Sequence, residues 1–359
     1  MKLSTPLKQP TNDSAVRATN TEAVRTKQSI STLHYYHDPY IPYFSASPPS
    51  QQKEKQRVDH KDVPVRLSPL INRGTFARVH AVERLTRGFL KCSSGKGRQV
   101  VVLGAGDCTL GFRLLLEKGL EEKKEELGGV GGVKWVEFDF EEVVKRKITI
   151  VEENLKGEFL ELKRYEKVEV GLKGRTRAGG EWSVFGVDLR RLDEVKSLLF
   201  DVVGFDKQVP TLFISECVLI YMKPEESDNI IEMLCESFEG VRMFVNYDQI
   251  EPYDPFGKQM VSHIARRGCP LLGIDRYPTS GSQQSRFEKL GWTNVKALNM
   301  NEYYRNYLEM DVRKRIERIE MLDELEEWTM LMQHYCLLWA ITGDMDEGAL
   351  EKISLRPHD

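Results

Sequence analysis

Gln99-Val100-Val101-Val102-Leu103-Gly104-Ala105-Gly106-Asp107-Cys108-Thr109 is the stretch on which the fold turns. A short valine-rich run stopped by glycine suits a strand buried on both faces of a parallel sheet. A strand that runs into Gly-x-Gly before a helix lets backbone approach a ligand where a side chain would block it.

Downstream the same pattern recurs. Val133 to Phe138 alternates and ends at Asp139; Trp182 to Val187 ends at Asp188; Thr211 to Ser215 ends beside Glu216; Val241 to Tyr247 supplies a fifth run. Amphipathic segments fill the gaps, which predicts βαβ units around a parallel sheet. Pro224-Glu225-Glu226 opens a helix, with Ile230, Ile231, Leu234 and Phe238 as its buried stripe and Gly240 as its stop. Asp254-Pro255 opens another, with Phe256, Met260 and Ile264 on one face and Gly268 past its end. Glu309 to Gln333 is expected to be a long helix or helical hairpin whose charges form a solvated face. An apolar run, His334 to Thr342, follows it.

In open α/β sheets ligands bind at the carboxyl ends of the strands. Asp139 there has the chemistry to accept two ribose hydroxyls. Asp188-Leu189 offers a hydrogen bond and an apolar contact to adenine, and Glu216 can face a cationic aminoacyl-sulfonium end. Each acid alone reads equally well as a surface charge or a helix cap. Together they point to a nucleoside, and the lack of a third glycine at Thr109 weakens a dinucleotide in favour of S-adenosylmethionine.

Bulk properties narrow the class. A net charge of −3, from 52 Lys and Arg against 55 Asp and Glu, excludes a general basic field for nucleic acid. Six scattered cysteines form no metal-site spacing and read as reduced thiols, so a cytoplasmic or nuclear location is expected. No export signal or membrane span is indicated, no metal is expected, and the chain is expected to be a monomer. Residues 1–11 read as a disordered tail, and 12–97 as an N-terminal helical lid or substrate region broken by a polar, proline-bearing loop at 45–68. Residues 98–342 read as the cofactor-binding core with additional C-terminal helices, and 343–359 as a C-terminal tail.

Two clusters precede the sheet. In Asn72-Arg73-Gly74-Thr75-Phe76-Ala77-Arg78-Val79-His80, an amphipathic helix continues through Val82, Leu85 and Phe89, so both arginines read as plain surface charges. His34-Tyr35-Tyr36-His37-Asp38-Pro39-Tyr40 reads as a packing anchor beneath a loop.

These clusters, with Leu103-Gly104-Ala105-Gly106, Val136-Glu137-Phe138-Asp139, Asp188-Leu189-Arg190, Ser215 to Met222 and His334-Tyr335-Cys336, carry a resemblance that runs from about Asn12 to Thr342. The chain resembles the leucine carboxyl methyltransferases, which methyl-esterify the C-terminal leucine of type 2A protein phosphatase catalytic subunits. The resemblance implies a Rossmann-like class I fold and places cofactor contacts on Lys27, Arg78, Gly104, Asp139, Asp188, Leu189 and Glu216. Lys27 and Arg78 come from it alone. Arg73 and Tyr221 lie in matching motifs and join Arg78 and Lys27 as catalytic candidates. The implied partner is the phosphatase catalytic subunit, through its C-terminal tail and folded surface. Cys108 stands where the family commonly has an acid, and the stretches at 119–134 and 166–181 look longer than usual.

The chemistry suits such an acceptor. A terminal carboxylate, with a reference pKa of about 3.3–3.7, is already ionised and needs no base. It needs a positive anchor that holds it in line with the methyl group, for which an arginine fork is apt. The rival readings are a related tRNA-modifying enzyme, a small-molecule carboxyl or O-methyltransferase, and an NAD-dependent oxidoreductase.

Overall fold

The computed structural model describes residues 12–45, 66–92, 97–116, 132–345 and 347–358. The expected tail at 1–11, nearly all of the 45–68 loop and most of the 119–134 stretch lie outside them.

Nine strands among the described residues form one sheet in the order β3-β4-β5-β2-β1-β6-β7-β9-β8. The five expected strands are β1 (Arg98–Leu103), β2 (Val133–Asp139), β5 (Glu181–Gly186), β6 (Thr211–Glu216) and β7 (Arg242–Gln249), all mutually parallel. The sheet is buried on both faces because its apolar runs alternate with period 2. Val100 and Val102 face one core, Val101 and Leu103 the other.

Four strands were not expected. β3 (Phe159–Arg164) and β4 (Gly171–Thr176) form an antiparallel hairpin that extends the β5 edge, so part of the 166–181 stretch is strand, not loop. β8 (Lys296–Asn299) and β9 (Tyr335–Thr342) close the other edge, with β9 antiparallel between β7 and β8. β9 is the apolar run seen in the sequence. Leu337, Trp339 and Ile341 enter one core, and Cys336, Leu338 and Ala340 the other, so the run is a strand buried on both faces.

Helices α1 (Asn12–Thr32), α2 (Ile41–Ser45) and α3 (Pro69–Cys92) precede the sheet, α4 (Leu110–Leu115) follows β1, and α5 (Glu141–Asn154) follows β2. Phe76, Val79, Val82, Leu85 and Phe89 of α3 are all buried, as their spacing predicts. Past β5 come α6 (Leu192–Ser197), α7 (Pro224–Glu236), α8 (Pro255–Arg266) and α9 (Ser280–Lys289). The 309–333 segment is two helices, α10 (Met310–Glu317) and α11 (Leu325–Gln333), rather than one long one.

Its charges are not all solvated. Glu320, between the two helices, is buried and accepts hydrogen bonds from Tyr35 Oη (3.0 Å), Asn72 Nδ2 (2.8 Å) and Arg66. A charge taken out of water needs such partners, and they come from segments far apart in the chain. The expected C-terminal tail carries α12 (Glu347–Ile353), and Ile353 and Leu355 are buried in the main core. No helix among the described residues is long and apolar enough to cross a membrane.

Candidate active site

Pairing register brings the strand ends to one level. Leu103 pairs with Phe138 and with Ser215, so Gly104, Asp139 and Glu216 follow together at the carboxyl edge. Glu216 in turn pairs with Tyr247, and Asp139 with Gly186, two residues before Asp188. The strand order reverses between β1 and β6, the place where open sheets bind ligands. A cavity of about 730 Å³ opens there, and its lining includes Lys27, Arg78, Gly104, Asp139, Asp188, Leu189, Glu216 and Tyr221. That volume falls in the usual range for small-molecule sites.

The glycine loop is shaped by neighbours. Gly104 and Gly106 have φ of +59° and +50°, where an L side chain is strained. A Cβ on Gly106 would also come within 2.5 Å of Asn20 Oδ1 on α1. Asn20 clasps the loop from both directions: Asp107 N donates to Asn20 Oδ1 (2.9 Å), and Asn20 Nδ2 donates to Asp107 Oδ2 (2.8 Å). Asp139 accepts Gly106 N and Phe140 N, each at 2.7 Å, and burial lifts its pKa to about 6 despite those bonds.

Asp188 is held in a two-pronged contact by Arg190, whose Nη2 also donates to Asp13 of α1 at 2.8 Å. Burial raises the Asp188 pKa, but the Arg190 hydrogen bonds and charge outweigh it and leave the carboxyl below its usual range.

At the end of β6, Arg78 Nε donates to Glu216 Oε2 at 2.6 Å. Burial opposes the Glu216 charge, yet Lys27 and Arg78 together bring its pKa down to about 2. The Arg78 guanidinium lies 5.0 Å from the centroid of the Tyr247 ring, which stacks on Tyr335 at 5.3 Å. Burial pushes the hydroxyls of Tyr221, Tyr247 and Tyr335 upward, Tyr335 to about 12, so all three stay protonated at neutral pH. Cys217, next to Glu216, has φ +54°, a strained non-glycine backbone of the kind that collects at functional sites.

Arg73 is not brought to this cavity. It points to the other side of α3, is buried, and donates to the carbonyl of Glu320 at 2.9 Å. Five helical positions separate it from Arg78, so the two face opposite ways. On α8, Phe256, Met260 and Ile264 are half-buried and line the cavity, and Met260 and Ile264 also pack against the small apolar cluster of Ile220, Leu271 and Ile274. Asn20, Arg190, Tyr247 and Tyr335 escaped the sequence reading. For Arg190 the signal was its place in the quoted Asp-Leu-Arg; Asn20 has none, since its role comes from how α1 lies on the loop. Asp38 anchors packing, accepting Tyr40 N, Ile41 N and Thr109 Oγ1. No cluster of His, Cys, Asp and Glu among the described residues could hold a metal ion.

A nine-stranded sheet with an antiparallel β9 inserted next to the edge, carrying a glycine loop and acids at its carboxyl ends, defines a Rossmann-like class I methyltransferase. A duf574 family protein from Streptomyces avermitilis shares the fold, with a TM-score of 0.50 at 12% identity, covering 89% of this chain and 98% of that one. The leucine carboxyl methyltransferase family model matches residues 15–235, and this chain belongs to that family. It is 34% identical over 342 residues to leucine carboxyl methyltransferase 1 of Rattus norvegicus, covering 95% of this chain and 93% of that protein. Against the Schizosaccharomyces pombe protein of the same name the figures are 33% over 331 residues, 92% and 95%. Human tRNA wybutosine-synthesizing protein 4 is 31% identical over 339 residues, which cover 92% of this chain but 44% of that protein. The chain is thus a carboxyl methyltransferase, and S-adenosylmethionine is its cofactor.

Proposed function

We propose that this enzyme esterifies the α-carboxylate of a C-terminal leucine in a type 2A protein phosphatase catalytic subunit. Bound S-adenosylmethionine supplies an electrophilic methyl group on a sulfonium. The residues divide the remaining work. Asp139 accepts the ribose hydroxyls, Leu189 and Asp188 receive the adenine, and Glu216 and Lys27 address the charged amino-acid end. Arg78 carries the reading: it is half-buried against Glu216, its charge is secured by that partner, and its terminal nitrogens donate to no described residue.

A guanidinium placed there can hold the acceptor carboxylate as a fork without deprotonating anything. The neutral tyrosines beside it supply hydroxyl donors, and the Phe256, Met260 and Ile264 face suits an apolar side chain such as leucine. Orientation and exclusion of water then do the catalysis, since the acceptor is already ionised. Helices α1–α3 act as the lid. Asp13 of α1 engages the loop after β5, and Asn20 and Lys27 both engage the glycine loop after β1.

Isotopic methyl transfer to a peptide ending in free leucine, against the same peptide amidated, tests this. Label should enter only the free-acid peptide and leave on mild alkali. Label in the amidated peptide, or a base-stable adduct, overturns the acceptor assignment.

A further inference from the structure

Lys147 sits in the middle of the apolar stripe of α5, between Val143, Val144, Ile148 and Val151, with its side chain 1% exposed. An ammonium in such a place is tolerated only when its charge and its donors are all matched. Nζ donates to the carbonyl oxygens of Gly106 and Cys108, both at 3.0 Å, and pairs with Glu137 Oε2 at 2.6 Å. The other Glu137 oxygen accepts Trp135 Nε1 at 3.0 Å. The ammonium therefore has one buried counter-charge and two hydrogen-bond acceptors, and both acceptors belong to the glycine loop.

We propose that Lys147 is a positioning residue for the cofactor, clamping the Gly106–Asp107 peptide from beneath while Asn20 clamps it from above. The carbonyl of this peptide accepts from Lys147, and its N–H donates to Asn20 Oδ1. The preceding N–H, that of Gly106, is held by Asp139. Side chains from α1, β2 and α5 thus fix consecutive groups of one short loop. A segment with two glycines has the most conformational freedom to lose. Holding it in shape beforehand spares the ligand that ordering and shows as affinity. Lys147 does not line the cavity and acts through the loop alone. The inference rests on the cofactor site and is independent of the acceptor proposed above.

Calorimetric titration of the full chain with S-adenosylhomocysteine, alongside thermal melting, tests it. Lys147→Met leaves Glu137 buried without a counter-charge and should melt lower. Lys147→Met with Glu137→Gln removes both charges and keeps the acceptor for Trp135, so melting should recover towards wild type. Affinity should not recover: it should stay about tenfold or more below wild type, the scale of one charge-assisted hydrogen bond. Asn20→Ala, on the half-buried lid helix, should weaken binding in the same direction with little change in melting. Wild-type affinity in the folded double variant overturns the proposal and makes Lys147 a mere partner for Glu137. Wild-type affinity in Asn20→Ala removes the upper jaw and overturns the clamp. A wild-type protein that takes up no S-adenosylhomocysteine overturns the cofactor site itself, and the clamp with it.

Discussion

Replacing Arg78 by lysine keeps the charge and removes the fork. In the structure Nε is committed to Glu216 at 2.6 Å, and the guanidinium plane lies against Tyr247, 5.0 Å from its centroid. A lysine ammonium can neutralise Glu216, but it cannot at the same time offer two further parallel N–H groups to an acceptor carboxylate. The net loss where the acceptor binds is that of one charge-assisted hydrogen bond, about 1.5–3 kcal/mol. At about 1.36 kcal/mol per decade, kcat/KM should fall roughly tenfold to several-hundredfold. Arg73→Lys is the matched comparison, five positions away on the same helix. Its Nη2 supports the Glu320 carbonyl rather than the cavity, so its loss should lower the melting temperature and leave transfer within about threefold of wild type. Both variants should be assayed for methyl transfer well below their melting temperatures. Normal transfer by Arg78→Lys with crippled transfer by Arg73→Lys would refute the assignment. Normal transfer by both would remove the physical support for a carboxylate anchor.

Asp139→Ala should weaken S-adenosylhomocysteine binding by at least tenfold in calorimetry, from the loss of about 1.5–3 kcal/mol per charge-assisted bond; unchanged affinity would mean that the ribose lies elsewhere. Asp248 is fully buried on β7, and burial lifts its pKa to about 7. The folded state therefore holds this proton more tightly than the unfolded state, and the carboxyl's contribution to stability is lost as pH rises from about 4 through 7. Asp248→Asn should accordingly raise the melting temperature at pH 8 and change it little at pH 4; an equal effect at both would contradict the buried-acid account. Glu320→Ala strips acceptors from Tyr35 and Asn72 and should cost about 3 kcal/mol or more in denaturant unfolding, whereas exposed Glu324→Ala should stay within about 0.5 kcal/mol.

Local pattern determined much of this protein. Five parallel strands, the glycine turn, and the helices opened at Pro224 and Pro255 follow from periodicity and capping chemistry, which act over a few residues. The level of Asp139, Asp188 and Glu216 follows too, because parallel strands in register end together. The face of a helix was legible only when its burial was uniform, as on α3. Phe256, Met260 and Ile264 have the same spacing as a core stripe, yet they line a cavity, because periodicity records that a face is apolar and not what covers it. The tertiary structure alone separated Arg78 from Arg73, sending one to Glu216 and the other to the Glu320 carbonyl. It also placed β9 between β7 and β8, made a buried hub of Glu320, and set Lys147 and Asn20 on opposite sides of the Gly106–Asp107 peptide. Each of these joins residues distant in the chain, Asn20 and Asp107 by 87 positions and Tyr35 and Glu320 by 285. Hydrogen bonds and ion pairs are decided by distances of a few ångströms, and no one-dimensional spacing encodes which remote partner arrives.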